Sequence, residues 1–300
     1  MLLETTRVSK AKKINLIKYI LGNRWAFDEE RYLKHAEKLY SRLAVEPVKE
    51  RKGGHKTFSW EEVRELREQT KKQREFMEAD GGKVIREAYI ARTSFQGDDG
   101  HFARFCDQDR FPCLLLLGDS GHGKTNLMWR LAGNPPGDRE TVVVFQEGRN
   151  IDPEGYRAEF AAARYDLPTV ITRLREGRDD FADKRIIVFI DAINEFHDPA
   201  RLLVEILDLY GDGPPYELRF VLSCRTIAWG HMQPRLEARH EALLYRPEGA
   251  EQLTLPTLVL FSEAELEAAF DRYAWHFGIN ATFEDLSPRT RRLLRDPLML

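Results

Sequence analysis

The stretch Cys113-Leu114-Leu115-Leu116-Leu117-Gly118-Asp119-Ser120-Gly121-His122-Gly123-Lys124-Thr125-Asn126-Leu127-Met128 decides how the chain is read. It opens on five apolar residues, the composition of a buried strand, and closes on the first turns of a helix that runs on through Trp129, Arg130 and Leu131. Between the two lies G-x-x-x-x-G-K-T, the spacing of a phosphate-binding loop. Glycines tolerate the dihedrals that turn backbone N–H groups inward onto phosphate oxygens. The N–H groups and positive dipole end of the following helix add to that attraction. In this pattern Lys124 reaches the β- and γ-phosphates, and the Thr125 hydroxyl takes a coordination position on Mg²⁺. The plain alternative, a glycine-rich turn that holds no ligand, requires the whole spaced pattern to arise by chance.

From Phe111 onward strands and helices alternate. Apolar strands are predicted at 113–117, 141–146, 186–191 and 219–224, with another near 252–255. Helices are predicted at 125–133, 154–164, 168–176 and 199–210; Asp198-Pro199 places a capping acid before a proline at the first helical position. Fully apolar strands separated by helices predict an α/β fold, a parallel sheet flanked by helices on both faces. Ligands on such sheets lie at the carboxyl ends of the strands, where the glycine loop sits.

Upstream, the pattern is mainly helical. Basic residues with Ile14, Leu16, Ile17, Ile20 and Leu21 make an amphipathic helix over 10–22, and a second helix spans 28–43. Pro47 to His55 reads as a loop, and Ser59-Trp60-Glu61-Glu62 is a capping box opening a charged helix through about Glu78. Its Lys71-Lys72-Gln73-Arg74 run sits among mixed charges and reads as a solvated face. Val84 to Ile90 reads as a short strand, 96–100 as a loop and 101–106 as a short helix. The organisation expected is a helical N-terminal region (1–83), a nucleotide-binding α/β domain (84–256) and the start of a small helical domain (257–300).

Bulk properties narrow the classes. The 300 residues carry a net charge of −3, which gives no global electrostatic reason to expect nucleic acid or an anionic membrane. Three cysteines without CxxC or Cys/His spacing suggest neither a disulfide framework nor a metal centre, so a cytoplasmic protein is expected. Met1 to Thr5 opens no signal peptide, and no run approaches the roughly 18 apolar residues of a membrane span.

Two further strand ends deliver chemistry. Ile186-Ile187-Val188-Phe189-Ile190-Asp191 brings a carboxylate to the loop edge, where such an acid holds Mg²⁺ opposite Thr125. Glu195, beside Asn194, is placed to orient or deprotonate an attacking water. Phe220-Val221-Leu222-Ser223-Cys224-Arg225 brings a cation to the same edge, suited to stabilising charge near the γ-phosphate. Each has a bland counterpart: a strand-end turn for Asp191, an exposed loop acid for Glu195, a surface salt bridge for Arg225.

Together these residues resemble the NACHT-type branch of the STAND ATPases, relatives of the AAA+ fold. The likeness covers roughly residues 85–300. Gly118–Thr125 is similar to the family's Walker A loop, Asp191-Ala192-Ile193-Asn194-Glu195 to its Walker B block, and Leu222-Ser223-Cys224-Arg225 to its sensor strand. Phe261-Ser262-Glu263-Ala264-Glu265, itself a capping box, resembles the segment leading into the small helical domain. Arg295-Asp296-Pro297-Leu298 resembles the family's proline motif, and Tyr89-Ile90-Ala91-Arg92 lies where the family places a segment covering the nucleotide.

The resemblance implies an ATP/ADP site built by Gly118, Asp119, Ser120, Gly121, His122, Gly123, Lys124, Thr125 and Asn126. Arg92 or Arg225 joins Lys124 on the phosphates, Thr125 and Asp191 hold Mg²⁺, Glu195 positions water, and Pro297 packs on adenine. It also implies a slow ATPase working as a signalling switch, a homo-oligomer once activated, in antiviral or innate-immune defence. Two residues depart from the pattern: Asn194 replaces an acid common in the block, and His122 occupies a variable loop position. The chain stops at the proline motif, which suggests an N-terminal fragment whose activating ligand is sensed by missing C-terminal parts. Three other classes are weighed beside the switch: a mechanical AAA+-type ATPase acting on nucleic acid or protein, a non-catalytic nucleotide-binding scaffold, and a small-molecule kinase. The last is disfavoured, because no lid or acceptor site is recognisable.

Overall fold

Four of the five strands carry an apolar, buried run along most of their length, and they assemble as such runs must, in a sheet covered on both faces. The computed structural model describes residues 89–151, 184–249 and 253–297, apart from 109, 138 and 212–216, together with Trp60, Arg64, Thr70, Lys71 and Glu75. All belong to the unit Thr57–Leu300. The expected helices at 10–22, 28–43, 154–164 and 168–176 lie outside the described residues, as does the boundary expected at 83/84. Of the helix expected from Ser59 to Glu78, the five described residues are all helical.

The element order is α1 (His101–Asp107), β1 (Cys113–Gly118), α2 (Lys124–Gly133), β2 (Glu140–Glu147), β3 (Lys184–Asp191), α3 (Pro199–Asp208), β4 (Leu218–Cys224), α4 (Thr226–Met232), α5 (Ala238–Glu241), β5 (Thr257–Leu258), α6 (Glu263–Phe277) and α7 (Pro288–Leu294). The five strands form one sheet in the order β2-β3-β4-β1-β5, and every pair is parallel. β1 and β3 are therefore not neighbours. β4 lies between them, with Cys113 beside Phe220 on one side and Ile190 beside Leu222 on the other.

Alternation along each strand feeds two cores. Leu115 and Leu117, Val142 and Val144, Ile186, Val188 and Ile190 pack on one face with Leu203, Ile206 and Leu207 of α3. Leu114 and Leu116, Phe145, Ile187 and Phe189 pack on the other with Phe102 and Phe105 of α1 and Leu127, Met128 and Trp129 of α2. Fully burying such side chains contributes about 1.5–3 kcal/mol each, so these two faces hold the sheet and its helices together. Arg219 of β4, fully buried, donates to the carbonyls of Phe105 and Gln108 at the end of α1. The three cysteines are free and buried.

A third, smaller core joins Ile90 to Phe261, Leu266, Ala269, Phe270, Ala274 and Phe283. It anchors the helical segment after β5. Ser262 caps α6 as the sequence predicts: its hydroxyl accepts the Glu265 N–H (3.3 Å), and Glu265 Oε2 accepts the Ser262 N–H (2.9 Å). Asp198 likewise caps α3, accepting the Arg201 N–H at 3.2 Å.

Three expectations are corrected. No residue of 253–256 is in a strand; the edge strand is Thr257–Leu258, starting just after Pro256, which has no N–H to give. The Pro256 carbonyl still accepts the Leu117 N–H (2.9 Å), guiding the chain onto β1. Tyr89 and Ile90 are irregular rather than the end of a strand. Helices α4 and α5 are additional, on residues whose mixed composition carries no clear helical period. Among the described residues no helix is long and apolar enough to cross a membrane.

Candidate functional site

The loop between β1 and α2 turns on two glycines with left-handed dihedrals, Gly121 (φ 88°) and Gly123 (φ 84°), which a side chain would strain. Gly123 then caps α2, its carbonyl accepting the Leu127 N–H (3.0 Å). The Lys124 ammonium folds back over the loop and donates to the carbonyls of Gly118 (2.7 Å) and Asp119 (2.8 Å). Burial pulls its pKa below the usual lysine value, while the Asp191 carboxylate pulls the other way. His122 lies 3.0 Å from the Leu258 carbonyl through Nδ1. A carbonyl only accepts, so that nitrogen carries the proton. The variable loop position thus pins the loop to β5.

Asp191, buried at the end of β3, receives two hydroxyls. Thr125 Oγ1 donates to Oδ2 at 2.6 Å and Ser223 Oγ donates to Oδ1 at 2.6 Å. Ser223 reaches Asp191 because β4 is the strand next to β3. The same serine oxygen accepts the Ala192 N–H at 2.7 Å. Ala192 is the one described residue other than glycine with positive φ (55°). That left-handed turn swings Ile193–Glu195 into a single 3-10 turn, closed by Glu195 N–H to the Ala192 carbonyl (2.8 Å). Gly148 underlies it closely: a Cβ there would stand 2.4 Å from the Ala192 carbonyl oxygen.

Asn194, the departure from the acid expected in this block, accepts the Arg225 N–H through Oδ1 at 3.1 Å. Two side chains therefore stitch the β3 end to the β4 end. The Arg225 and Glu195 side chains are exposed at the rim, and the Arg225 guanidinium has no partner among the described residues. No cluster of three metal-ligating side chains occurs among the described residues. The candidate cation position is the Thr125–Asp191 pair alone. One hydroxyl and one carboxylate are hard oxygen donors, and such a pair fits Mg²⁺, which fills its remaining positions with water and phosphate oxygens.

These groups line one cavity of about 630 Å³, within the range of small-ligand sites. Of the site residues expected from sequence, Ser120 to Asn126, Asp191, Glu195, Arg225, Arg92 and Pro297 all line it. Gly118 and Asp119 do not; they contribute the carbonyls that hold Lys124. Arg92 stands at the far end, and its guanidinium is already engaged. Nε is 3.3 Å from Glu265 Oε1, Nη2 donates to the Val259 carbonyl, and the group lies 4.7 Å over the Phe261 ring. Tyr89 donates to Gln96 Oε1 (2.6 Å), which also accepts the Arg92 N–H (2.9 Å). Phe261 and Tyr273 complete this end. Sequence reading does not single out Tyr273, or the ties made by Ser223 and Asn194. Only the Ser-x-Arg pattern at the end of β4 hints at the serine.

A parallel five-stranded sheet flanked by helices, with the glycine loop leaving the carboxyl end of β1, is the α/β architecture of P-loop NTPases. No protein-family model and no curated protein matches the chain. Among solved structures, it is similar to Cdc6p from Pyrobaculum aerophilum (14% identity, 63% of this chain and 52% of that one, TM-score 0.38). It is also similar to RuvB from Thermotoga maritima (15%, 70% and 59%, TM-score 0.39). A Walker-type ATPase of Pyrococcus abyssi matches with 13% identity over 69% of this chain and 67% of that one, TM-score 0.41. The matched region spans about half the length of the Cdc6p chain.

Proposed function

We propose that the chain binds ATP and ADP with Mg²⁺ and works as a slowly hydrolysing STAND-type switch that oligomerises to activate an effector in defence signalling. The observation that carries the nucleotide reading is the 2.6 Å contact between Thr125 Oγ1 and Asp191 Oδ2, inside the cavity that also holds Lys124. Two residues far apart in sequence meet there in the arrangement that phosphoryl chemistry needs.

The roles follow from that geometry. On binding, the Lys124 ammonium exchanges the Gly118 and Asp119 carbonyls for phosphate oxygens, a charge-assisted and stronger pairing. Loop N–H groups of Gly121 to Thr125 enclose the phosphates. Thr125 and Asp191 would hold Mg²⁺, which would supply charge neutralisation at the phosphates. Glu195, exposed beside this centre, orients the attacking water, and Arg225 offers the one uncommitted guanidinium among the described residues at the rim. Arg92 serves the opposite end, where Glu265 holds it. With Asn194 fixed on the Arg225 backbone, Glu195 is the sole base candidate of its block, which suits slow turnover.

The switch reading adds a second support. The sheet builds the phosphate end, whereas Phe261, Tyr273 and Pro297 of the segment after β5 build the other. The boundary expected at 256/257 falls just before β5, and because β5 pairs with β1 we place the start of the helical segment after Leu258. A ligand touching both parts shifts their arrangement by its difference in affinity for the two states.

The test is the nucleotide content of protein purified without added nucleotide, followed by turnover. Retained stoichiometric ADP with slow turnover that falls further in Glu195→Gln supports the switch. Sustained turnover stimulated by nucleic acid or protein replaces it with the mechanical AAA+-type ATPase. Turnover indifferent to Glu195→Gln replaces it with the nucleotide-binding scaffold.

A further inference from the structure

The far end of the cavity contains three polar side chains, those of Tyr89, Arg92 and Tyr273. Two are committed. The Tyr89 hydroxyl donates to Gln96, and the Arg92 guanidinium is divided between Glu265 and the Val259 carbonyl. The hydroxyl of Tyr273 has no partner among the described residues, although its ring is half-buried. Two contacts adjoin it. The neighbouring Arg272 donates to the Tyr89 carbonyl (2.6 Å), and the Phe277 ring lies 5.8 Å away, one helical turn further along α6. A phenol keeps its proton at neutral pH and can donate, and burial pushes it further in that direction.

We infer that Tyr273 reads the nucleoside of the bound nucleotide, its hydroxyl making the hydrogen bond that the rest of this end cannot supply. The inference rests on the nucleotide reading above and deepens it. The loop recognises a polyphosphate; Tyr273 distinguishes a nucleotide from a polyphosphate. Because Tyr273 belongs to α6, the contact also joins the nucleoside to the helical segment.

The experiment is titration calorimetry of the full chain and of Tyr273→Phe with ADP–Mg²⁺ and, separately, tripolyphosphate–Mg²⁺. Phenylalanine keeps the ring and its packing and removes only the hydroxyl. The dissociation constant for ADP rises about 3- to 10-fold in the variant, the worth of one neutral hydrogen bond, while that for tripolyphosphate stays within about twofold. A penalty that disappears with 2′-deoxy-ADP assigns the partner as the ribose 2′-hydroxyl, and one that persists assigns it to the remainder of the nucleoside, the base or the 3′-hydroxyl; both support the inference. Unchanged ADP affinity in the variant, or equal losses for both ligands, overturns it. A wild-type chain that binds neither ligand overturns the nucleotide reading itself, and this inference with it.

Discussion

The two ends of the cavity are built by opposite strategies. At the end beside the glycine loop most of the lining comes from one continuous run, Ser120 to Asn126, set between a strand and a helix, with Asp191, Glu195 and Arg225 added from the ends of two neighbouring strands. At the other end the lining comes from scattered positions, Tyr89, Arg92, Phe261, Tyr273 and Pro297, held by a small core and one buried ion pair. The first is built on backbone held between β1 and α2. The second depends on separate segments staying docked against one another, so on the proposed switch reading it is the end at which a change in domain arrangement is felt.

Mutations separate the two. Lys124→Ala has the largest effect: removing the charged partner raises the dissociation constant for ADP by about 10³-fold in calorimetry. Because the pKa of Lys124 is lower folded than unfolded, its charge opposes folding at neutral pH. Relief of that opposition offsets the loss of the two carbonyl contacts, so the ligand-free melting temperature of this variant changes far less than its ADP affinity. Asp191→Asn lowers turnover by about 10²-fold while ADP affinity changes by less than about tenfold, measured by phosphate release and calorimetry. Glu265→Gln acts at the scattered end, leaving Arg92 buried without a countercharge. Thermal unfolding should show a loss of about 3 kcal/mol, and ADP should bind more weakly, with tripolyphosphate little affected. Ser223→Ala has the smallest effect, about a tenfold loss of turnover, because Asp191 loses the hydroxyl that orients it but keeps Thr125. If Glu265→Gln weakened tripolyphosphate as much as ADP, the division between the ends would fail.

That division also explains what can be read without coordinates. Gly118 to Thr125 is legible because its chemistry is local: spacing alone dictates where N–H groups, ammonium and hydroxyl go. Asp191 is legible because an apolar strand stopping at an acid is a one-dimensional pattern. Ser223, by contrast, matters only because β4 lies between β1 and β3, and nothing in the run Leu222-Ser223-Cys224-Arg225 states which strands flank it. Asn194 reads as a lost acid until the Arg225 N–H is found on its oxygen. Arg92 reads as a phosphate clamp until Glu265, whose capping role is legible, turns out to spend its second oxygen on it. Strand β5 is displaced from its expected place because two residues beside Pro256 carry too little pattern to locate. Tyr273 falls on the buried side of an amphipathic helix, where an aromatic residue reads as core.

The strand order has a consequence for how the molecule is made. β1, which presents the phosphate loop, is hydrogen-bonded on one side to Leu218–Cys224 and on the other to Thr257–Leu258, about a hundred residues or more further along the chain. β2 and β3 pair with each other across a much shorter interval. During synthesis from the N-terminus, the β2–β3 ladder can therefore form while β1 still lacks both of its neighbours. Contacts of such long sequence separation are slow to close. Within this sheet the strand that presents the glycine loop is thus flanked last, and on the proposed reading a nascent chain stalled before β4 emerges would lack the frame that holds a nucleotide.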